Sequence, residues 1–236
     1  MDSKVVNAHI KRRIWPRLNE AGFGVFTART AWRHHEERID VLNFQSFNSY
    51  NAEVIGCTTY SFSVNLGCFL KVIPPQFEPH RIKSKAGQML PQEFDCHFRG
   101  RMSRTFNQPE LKHRGIWYID PGEKYLGWAM TDVETLLSGT ALPWFDSFAD
   151  GTFALQVLLN ADEVMEELWG FGRNPSPVRH YFTGYVALGA KQNEVANQHL
   201  SLALASGCFK SIEPRLQTDI QRTNESMHVS SEDARA

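Results

Sequence analysis

The chain has 236 residues, of which 42% are hydrophobic and 22% are charged, and its formal net charge is −1 at pH 7. This composition can fill a hydrophobic core and excludes a chain that is disordered over most of its length. The near-zero charge gives no overall attraction to nucleic acid or to an anionic membrane surface. No apolar run approaches the roughly 20 residues that a membrane helix needs, so we expect no membrane contact.

The cysteines show neither a CxxC motif nor another metal-type spacing, and the polar amino-terminal stretch does not resemble a secretion signal. We therefore predict a cytoplasmic protein with free thiols, no metal and no cofactor. The thiols are Cys57, Cys68, Cys96 and Cys208. Two adjacent histidines beside two acids, at residues 34–37, could suggest a metal site. Neighbouring side chains on an extended chain diverge, however, so this segment is predicted to be a hairpin turn.

The first predicted element is an amphipathic helix with apolar residues at near-helical spacing. These residues are Val5, Val6, Ile10, Ile14 and Leu18. Pro16 has no amide proton, so it predicts a kink or a second short helix that ends before Gly22. The segment Val25–His35 follows as the first predicted strand.

Two strands, Ile39–Asn48 and Thr58–Cys68, form the predicted centre of one antiparallel sheet. In the second strand four apolar residues alternate with polar ones, which places them on one face. They are Tyr60, Phe62, Val64 and Leu66. A shift of one residue would turn all four side chains to water, so the register is strongly specified.

Further strands are predicted at Phe94–Ser103 and Gly115–Asp120, which gives a sheet of about five strands. The first of them alternates, with Phe94, Cys96, Phe98 and Met102 toward the core. The preceding segment, Lys71–Gln92, is rich in proline and in basic residues. Because proline cannot donate to a strand ladder, we predict a long basic loop over the surface there.

The pattern becomes helical in the second half of the chain. The S/T-x-x-E sequence that begins at Thr131 is typical of a capping box opening a helix, and a further helix is predicted at Phe153–Trp169. The segments Val178–Ala190 and Glu194–Ala205 predict a helical hairpin. Residues 211–236 are polar and lack apolar periodicity, so they are predicted to be a disordered tail.

Together these elements predict an α+β fold: an amino-terminal helix, a twisted antiparallel sheet with helices on one face, and a carboxy-terminal helical hairpin. Residues 1–128 would contain the first helix and the sheet. Residues 129–210 would be a helical part that is packed on the sheet or appended to it, and we expect one compact unit. The expected oligomeric state is a monomer or a weak homodimer.

Several short motifs follow one another in the order of a known family. They are Gly22-Phe23, Trp32-Arg33, Val41-Leu42-Asn43-Phe44-Gln45, Phe62-Ser63-Val64-Asn65-Leu66-Gly67, Cys96-His97-Phe98-Arg99-Gly100-Arg101 and an aromatic strand at Trp117. By their order and spacing the chain resembles the bacterial domain-of-unknown-function family 4304, over roughly residues 10–150. This resemblance implies a small intracellular bacterial protein with an α+β fold. It implies no activity, because no chemistry is established for the family.

The polar face of the predicted sheet is the candidate site. If the strands pair as predicted, amide, imidazole and guanidinium groups gather there from Asn43, Gln45, Asn65, His97, Arg99 and Arg101. Two arginines two residues apart present a pair of guanidinium forks, which could hold a carboxylate or a phosphate. An antiparallel sheet also commonly leaves one polar face in water, so both interpretations stay open.

We favour a non-catalytic binding protein whose polar sheet face and basic loop contact an unknown protein or anionic ligand. In its sharpest form this hypothesis describes an inhibitor of a cognate toxin. The alternative is a hydrolase for a phosphorylated or nucleotide substrate, with Asp95, His97 and Asp120 as acid–base candidates. The common catalytic motifs are missing from the sequence, which favours binding over catalysis. Nucleic-acid binding is less favoured because the net charge is near zero.

Overall fold

The computed structural model describes residues 3–76, 82–160 and 168–233. The strands in these ranges are β1 (Val25–Phe26), β2 (Thr30–His34), β3 (Arg38–Ser46), β4 (Phe62–Leu70), β5 (Lys83–Lys85), β6 (Gln88–Leu90), β7 (Phe98–Arg101) and β8 (Leu168–Trp169). The helices are α1 (Ser3–His9), α2 (Trp15–Glu20), α3 (Ser49–Ile55), α4 (Leu126–Leu136), α5 (Leu142–Asp146), α6 (Thr152–Leu159), α7 (Pro177–Gly189), α8 (Asn193–Ala205) and α9 (Glu213–Asp233). Across the same ranges no helix is both long and apolar enough to cross a bilayer.

Six strands form one antiparallel sheet in the order β1-β2-β3-β4-β7-β8, and β5 and β6 form a separate hairpin. The long central strands β3 and β4 pair along their whole length, with Asn43 opposite Asn65. On the other side of β4, Asn65 lies opposite Arg101 of β7. The predicted α+β fold, with its antiparallel sheet and its helical hairpin α7–α8, is thereby confirmed.

The amino-terminal helix is interrupted immediately before its proline. A π-helical turn, Ile10–Ile14, joins α1 to α2, and Pro16 lies at the start of α2. The proline ring and the missing amide disfavour a regular turn at this point, so the backbone widens there. The same arrangement recurs between α4 and α5, where the π-helical turn Leu137–Ala141 precedes Pro143.

One face of the sheet is buried beneath two groups of helices. Phe44 and Phe62 pack with Met130 of α4 and with the amino-terminal helices. Farther along the same face, Cys68 and Phe98 pack against α6, α7, α8 and α9. Burying a large apolar side chain stabilises a fold by roughly 1.5–3 kcal/mol before the entropy cost is counted. The helix-covered face is therefore the main source of stability.

The opposite face has an apolar half and a polar half. The segment 82–96, which includes the β5–β6 hairpin, covers the apolar half, and the buried side chains beneath it are Trp32, Ile39, Val41 and Phe69. The indole of Trp32 also donates a hydrogen bond to the Pro91 carbonyl over 2.7 Å. The predicted loop Lys71–Gln92 thus serves partly as a cover for the sheet, although residues 77–81 lie outside the described residues.

Two predictions from local patterns near the second half of the chain are wrong. Thr131 does not cap a helix, because α4 begins five residues earlier at Leu126 and the Thr131 hydroxyl donates to the Gly127 carbonyl. The predicted strand Gly115–Asp120 is reduced to a single bridge to β4. In both cases tertiary packing overrides the local signal.

The helix predicted at Phe153–Trp169 has a different end. α6 ends at Leu159, and Leu168–Trp169 forms β8 at the edge of the sheet, beside β7. Residues 161–167, between them, lie outside the described residues. A two-residue strand has no period to detect, so its pairing with β7 could not be read from the sequence.

The prediction of disorder from residue 211 onward is wrong for the described residues, because α9 continues as a helix to Asp233. Leu216 is fully buried against the α7–α8 hairpin. The Tyr185 hydroxyl donates to the Asp219 carboxylate over 2.8 Å, and the Asn197 amide donates to the Thr223 hydroxyl over 3.0 Å. A few contacts on one side of a polar helix therefore suffice to dock it.

Candidate functional site

The register of three neighbouring strands gathers five of the six predicted site residues on the polar half of the open face. Alternate residues of a strand share a face, and the pairing aligns these positions across β3, β4 and β7. We call this surface the polar patch; it consists of Asn43, Gln45, Asn65, Arg99 and Arg101.

His97, the sixth predicted residue, does not belong to the patch surface. It precedes β7 and lies between the rings of Phe69 and Phe182, whose centroids are 4.6 and 4.9 Å from its own. Its Nδ1 accepts the Leu70 amide over 2.9 Å, and burial lowers the pKa of His97 to about 3. The prediction failed because strand alternation does not show that Phe182 of α7 contacts this ring.

A short chain of hydrogen bonds forms the floor of the polar patch. Asn65 is only 2% exposed; its Nδ2 donates to Gln45 Oε1 over 2.8 Å. Its Oδ1 accepts from Arg101 Nε over 2.8 Å. Next to it, Asn43 donates to the Thr30 hydroxyl over 2.9 Å. With both amide atoms of Asn65 bonded, the buried floor fixes the position of the Arg101 guanidinium.

Arg99 is held by a carboxylate in the same manner. Its Nε donates to Oε1 of the buried Glu93 over 2.6 Å. The guanidinium carbons of Arg99 and Arg101 both lie 5.9 Å from the centre of the Trp169 indole ring, which is within the range of a cation–π contact. In the described part of the chain both guanidiniums form hydrogen bonds through Nε alone, so their Nη groups remain for a ligand.

The electrostatics of the patch favour an anion. Among the described residues, its two guanidiniums outweigh the one carboxylate that bonds to them, that of Glu93. Burial lowers the pKa of Arg101 and the nearby Glu93 charge raises it, but an arginine in a protein stays charged at neutral pH. A Cβ atom at Gly115 would lie 2.7 Å from Arg101 Cδ, so the loop carrying the exposed Lys112 and Arg114 passes directly beside the patch.

The candidate acid–base residues each accept a backbone amide, and within the described ranges Asp120 Oδ1 is buried without a hydrogen-bond partner. Asp95 accepts the Gln92 amide over 2.7 Å, and Asp120 accepts the Gly122 amide over 3.0 Å. Both bonds are to local backbone groups, and the His97 imidazole is buried. No group of three or more His, Cys, Asp or Glu side chains that could hold a metal ion occurs among the described residues. The arrangement can orient a charged ligand more readily than it can transfer a proton.

Sequence reasoning missed three residues of this site. Trp169 was assigned to a helix, Glu93 lies in the short 3₁₀ turn before β7, and Thr30 lies on β2 beneath Asn43. Glu93 and Trp169 come from segments without strand periodicity, so only the folded chain brings them to the arginines. The alternation in β3, β4 and β7 was by contrast a sufficient signal for the other five.

The fold and the patch together define a mixed α+β protein with an open, arginine-bearing sheet face. Residues 14–147 match the family DUF4304, described as a domain of unknown function. Because the match covers more than half of the chain, the protein belongs to this family, and the predicted resemblance is confirmed. No curated protein and no solved structure matches the chain.

Proposed function

We propose that this protein is a non-catalytic binding protein whose polar patch holds an acidic protein partner. The observation that carries the proposal is the arginine pair, in which the Nε atoms of Arg99 and Arg101 are fixed by Glu93 and Asn65 while no described residue bonds to their Nη groups. A guanidinium held in this way pairs with a carboxylate through charge-assisted hydrogen bonds, and little side-chain entropy is left to lose.

The spacing of the two arginines favours an extended partner segment. Residues two apart on a strand are separated by roughly 6.6 Å, which is also the spacing of alternate side chains on a partner strand. Two acidic residues at alternate positions would therefore meet Arg99 and Arg101 one to one. Arginine and aromatic residues are also enriched at the centres of protein interfaces; Trp169 contacts both guanidiniums, and the 68% exposed Phe94 follows Glu93 in the chain.

A narrower role is part of the same proposal: an inhibitor of a toxin protein in the bacterial cytoplasm. Its support is a charged face on a chain whose three acid–base candidates lie apart from that face or each accept a backbone amide. No specific contact favours the alternative, a hydrolase for phosphorylated substrates. The near-neutral net charge likewise gives no support to nucleic-acid binding.

The first prediction tests the arginine pair with a defined probe, a short labelled peptide carrying glutamate at alternate positions. Replacing Arg99 and Arg101 with alanine should weaken binding at least about tenfold, since hydrogen bonds to charged groups are worth roughly 1.5–3 kcal/mol each. Fluorescence anisotropy at low salt measures the dissociation constant. A peptide of the same composition with its glutamates clustered at one end tests the spacing and should bind more weakly.

The matched control is Lys11→Ala/Arg12→Ala, which removes two exposed charges from the amino-terminal helical segment. This variant should bind the peptide as the wild-type protein does. Arg99→Ala leaves the buried Glu93 unpaired, which could disturb the fold. A second variant, Arg99→Lys/Arg101→Lys, therefore keeps both charges but lacks the planar guanidinium groups. Unchanged affinity in both arginine variants would refute the proposal, and stronger binding to single-stranded DNA than to the peptide would favour nucleic acid instead.

A further inference from the structure

A pair of histidines joins the two helices of the carboxy-terminal hairpin. His180 lies on α7 and His199 on α8, and their Nδ1 atoms are 3.1 Å apart. The ring centroids are separated by 5.1 Å, and both side chains are half-buried. The pair lies on the hairpin, outside the polar patch and outside the family segment.

The hydrogen bond between two Nδ1 atoms restricts the charge of the pair. One nitrogen must donate a proton and the other must offer a lone pair, so the two rings cannot both be protonated in this arrangement. A neutral imidazole with a free lone pair is the form that ligates a metal ion.

The helices that carry the pair are tightly packed at this level. A Cβ atom at Gly184 would lie 2.6 Å from Leu200 Cδ2, so only glycine permits this approach of α7 to α8. Gly184 is one turn from His180, and Leu200 follows His199 directly. The two imidazoles are therefore held close together by the backbone rather than by their own contact.

We propose that His180 and His199 form a two-imidazole site for a divalent transition metal ion, with Zn²⁺ as the principal ligand. Zinc–nitrogen bonds of about 2.0–2.1 Å at a tetrahedral angle place two ligand nitrogens roughly 3.3 Å apart. The observed Nδ1 separation of 3.1 Å needs little change. Each ring must turn so that its lone pair points away from the other nitrogen and toward the ion, and the shared proton leaves to solvent.

The remaining coordination positions of this ion are open. No third protein ligand completes a metal group in the described ranges, so water would fill the other positions. Because the described donors are two imidazoles, the site discriminates against Mg²⁺ and Ca²⁺, which prefer oxygen ligands. A bound ion would also link α7 to α8 and so stabilise the folded chain.

The second prediction is tested by titrating the full-length protein with ZnCl₂ at neutral pH in a calorimeter, with MgCl₂ as the comparison ion. We expect one Zn²⁺ per chain, no Mg²⁺ binding, and a rise in Tm on addition of Zn²⁺. His199→Asn keeps an acceptor for His180 but loses the second imidazole, so it should weaken Zn²⁺ binding at least tenfold and abolish the rise in Tm. His113→Asn removes an exposed histidine elsewhere and should change neither quantity.

Nuclear magnetic resonance of the wild-type protein gives a readout that does not depend on the fold of any variant. The ring signals of His180 and His199 should both shift during the Zn²⁺ titration, while those of His97 stay constant. Zn²⁺ affinity that is unchanged in His199→Asn would overturn the proposal. A wild-type protein without calorimetric binding, Tm rise or histidine shifts would also overturn it and leave the pair a simple hydrogen bond.

Discussion

Burial decides what the polar side chains of the sheet do. Asn65 is buried with both amide atoms bonded, so it positions Arg101 and is not itself free for a ligand. His97 is 7% exposed and accepts one backbone amide, so a charge on its ring would lose both hydration and that hydrogen bond. Arg99 is half-buried and Arg101 is exposed, and among the described residues each is bonded through Nε alone, so their outer nitrogens stay available.

The third prediction concerns His97 and acid. The unfolded chain binds a proton at this residue below pH 6.5, the ordinary pKa of histidine, whereas the folded chain resists protonation until about pH 3. Because the pKa of His97 is lower in the folded chain, the contribution of the neutral imidazole to stability is complete above pH 6.5. This contribution is lost as the pH falls toward 3. His97→Asn keeps an acceptor for Leu70 and does not titrate. As the pH falls, the free energy of unfolding of this variant should decrease less steeply than that of the wild-type protein. The two slopes should differ by up to about 1.4 kcal/mol per pH unit.

Urea denaturation of both proteins at several pH values between 7 and 4 measures this difference. His113→Asn, which removes an exposed ring, should follow the wild-type protein. Parallel curves for the wild-type protein and His97→Asn would mean that His97 is not held neutral in the folded chain.

At the scale of elements, the docking of α9 is the largest departure from expectation. The fourth prediction is that Leu216→Ala lowers the free energy of unfolding by about 2–5 kcal/mol, because this fully buried side chain would leave a cavity. Leu202→Ala on α8 is the matched control; this leucine is 44% exposed, and its loss should change stability by no more than about 0.5 kcal/mol. Thermal and urea unfolding provide the comparison, and equal stability of the two variants would show that α9 is not docked.

Strong periodicity explains which elements could be predicted. The alternation along β4 and the helical stripes of α7 and α8 each extend over many residues, so the sequence alone indicates them. The polar patch was predictable for the same reason, since Asn43, Asn65 and Arg101 occupy matching positions of three such strands. β8 and α9 depend on a few contacts with distant segments, and no local pattern records those contacts. The imidazole pair is likewise set by the crossing of two helices rather than by spacing along the chain.

At the scale of the whole molecule, the sheet and the helices that follow it share their cores. Six side chains after residue 128 are buried against the amino-terminal helices and the sheet: Ala129, Met130, Val133, Leu137, Ala141 and Phe145. A boundary at residue 128 therefore passes through a core, whereas the family segment, which ends at 147, includes all six.

The fifth prediction follows from this shared core. A fragment of residues 1–128 should show no cooperative thermal transition and should be digested rapidly by protease, because its sheet loses the cover of α4 and α5. A fragment of residues 1–150 retains those helices and should resist protease longer. Limited proteolysis and circular dichroism of both fragments and of the full chain provide the test. A cooperative transition in the shorter fragment would contradict the shared core.

Trp169 lies beyond the family segment, although it contacts both guanidiniums of the polar patch. The two guanidiniums thus come from one stretch of the chain, and the indole that they contact comes from another. A relative that retained the central strands but carried a different sequence after residue 147 would present the same two guanidiniums beside a different side chain. Under the proposed binding role, partner choice could then diverge among relatives by change in the later stretch alone, while the sheet and its register stayed as they are.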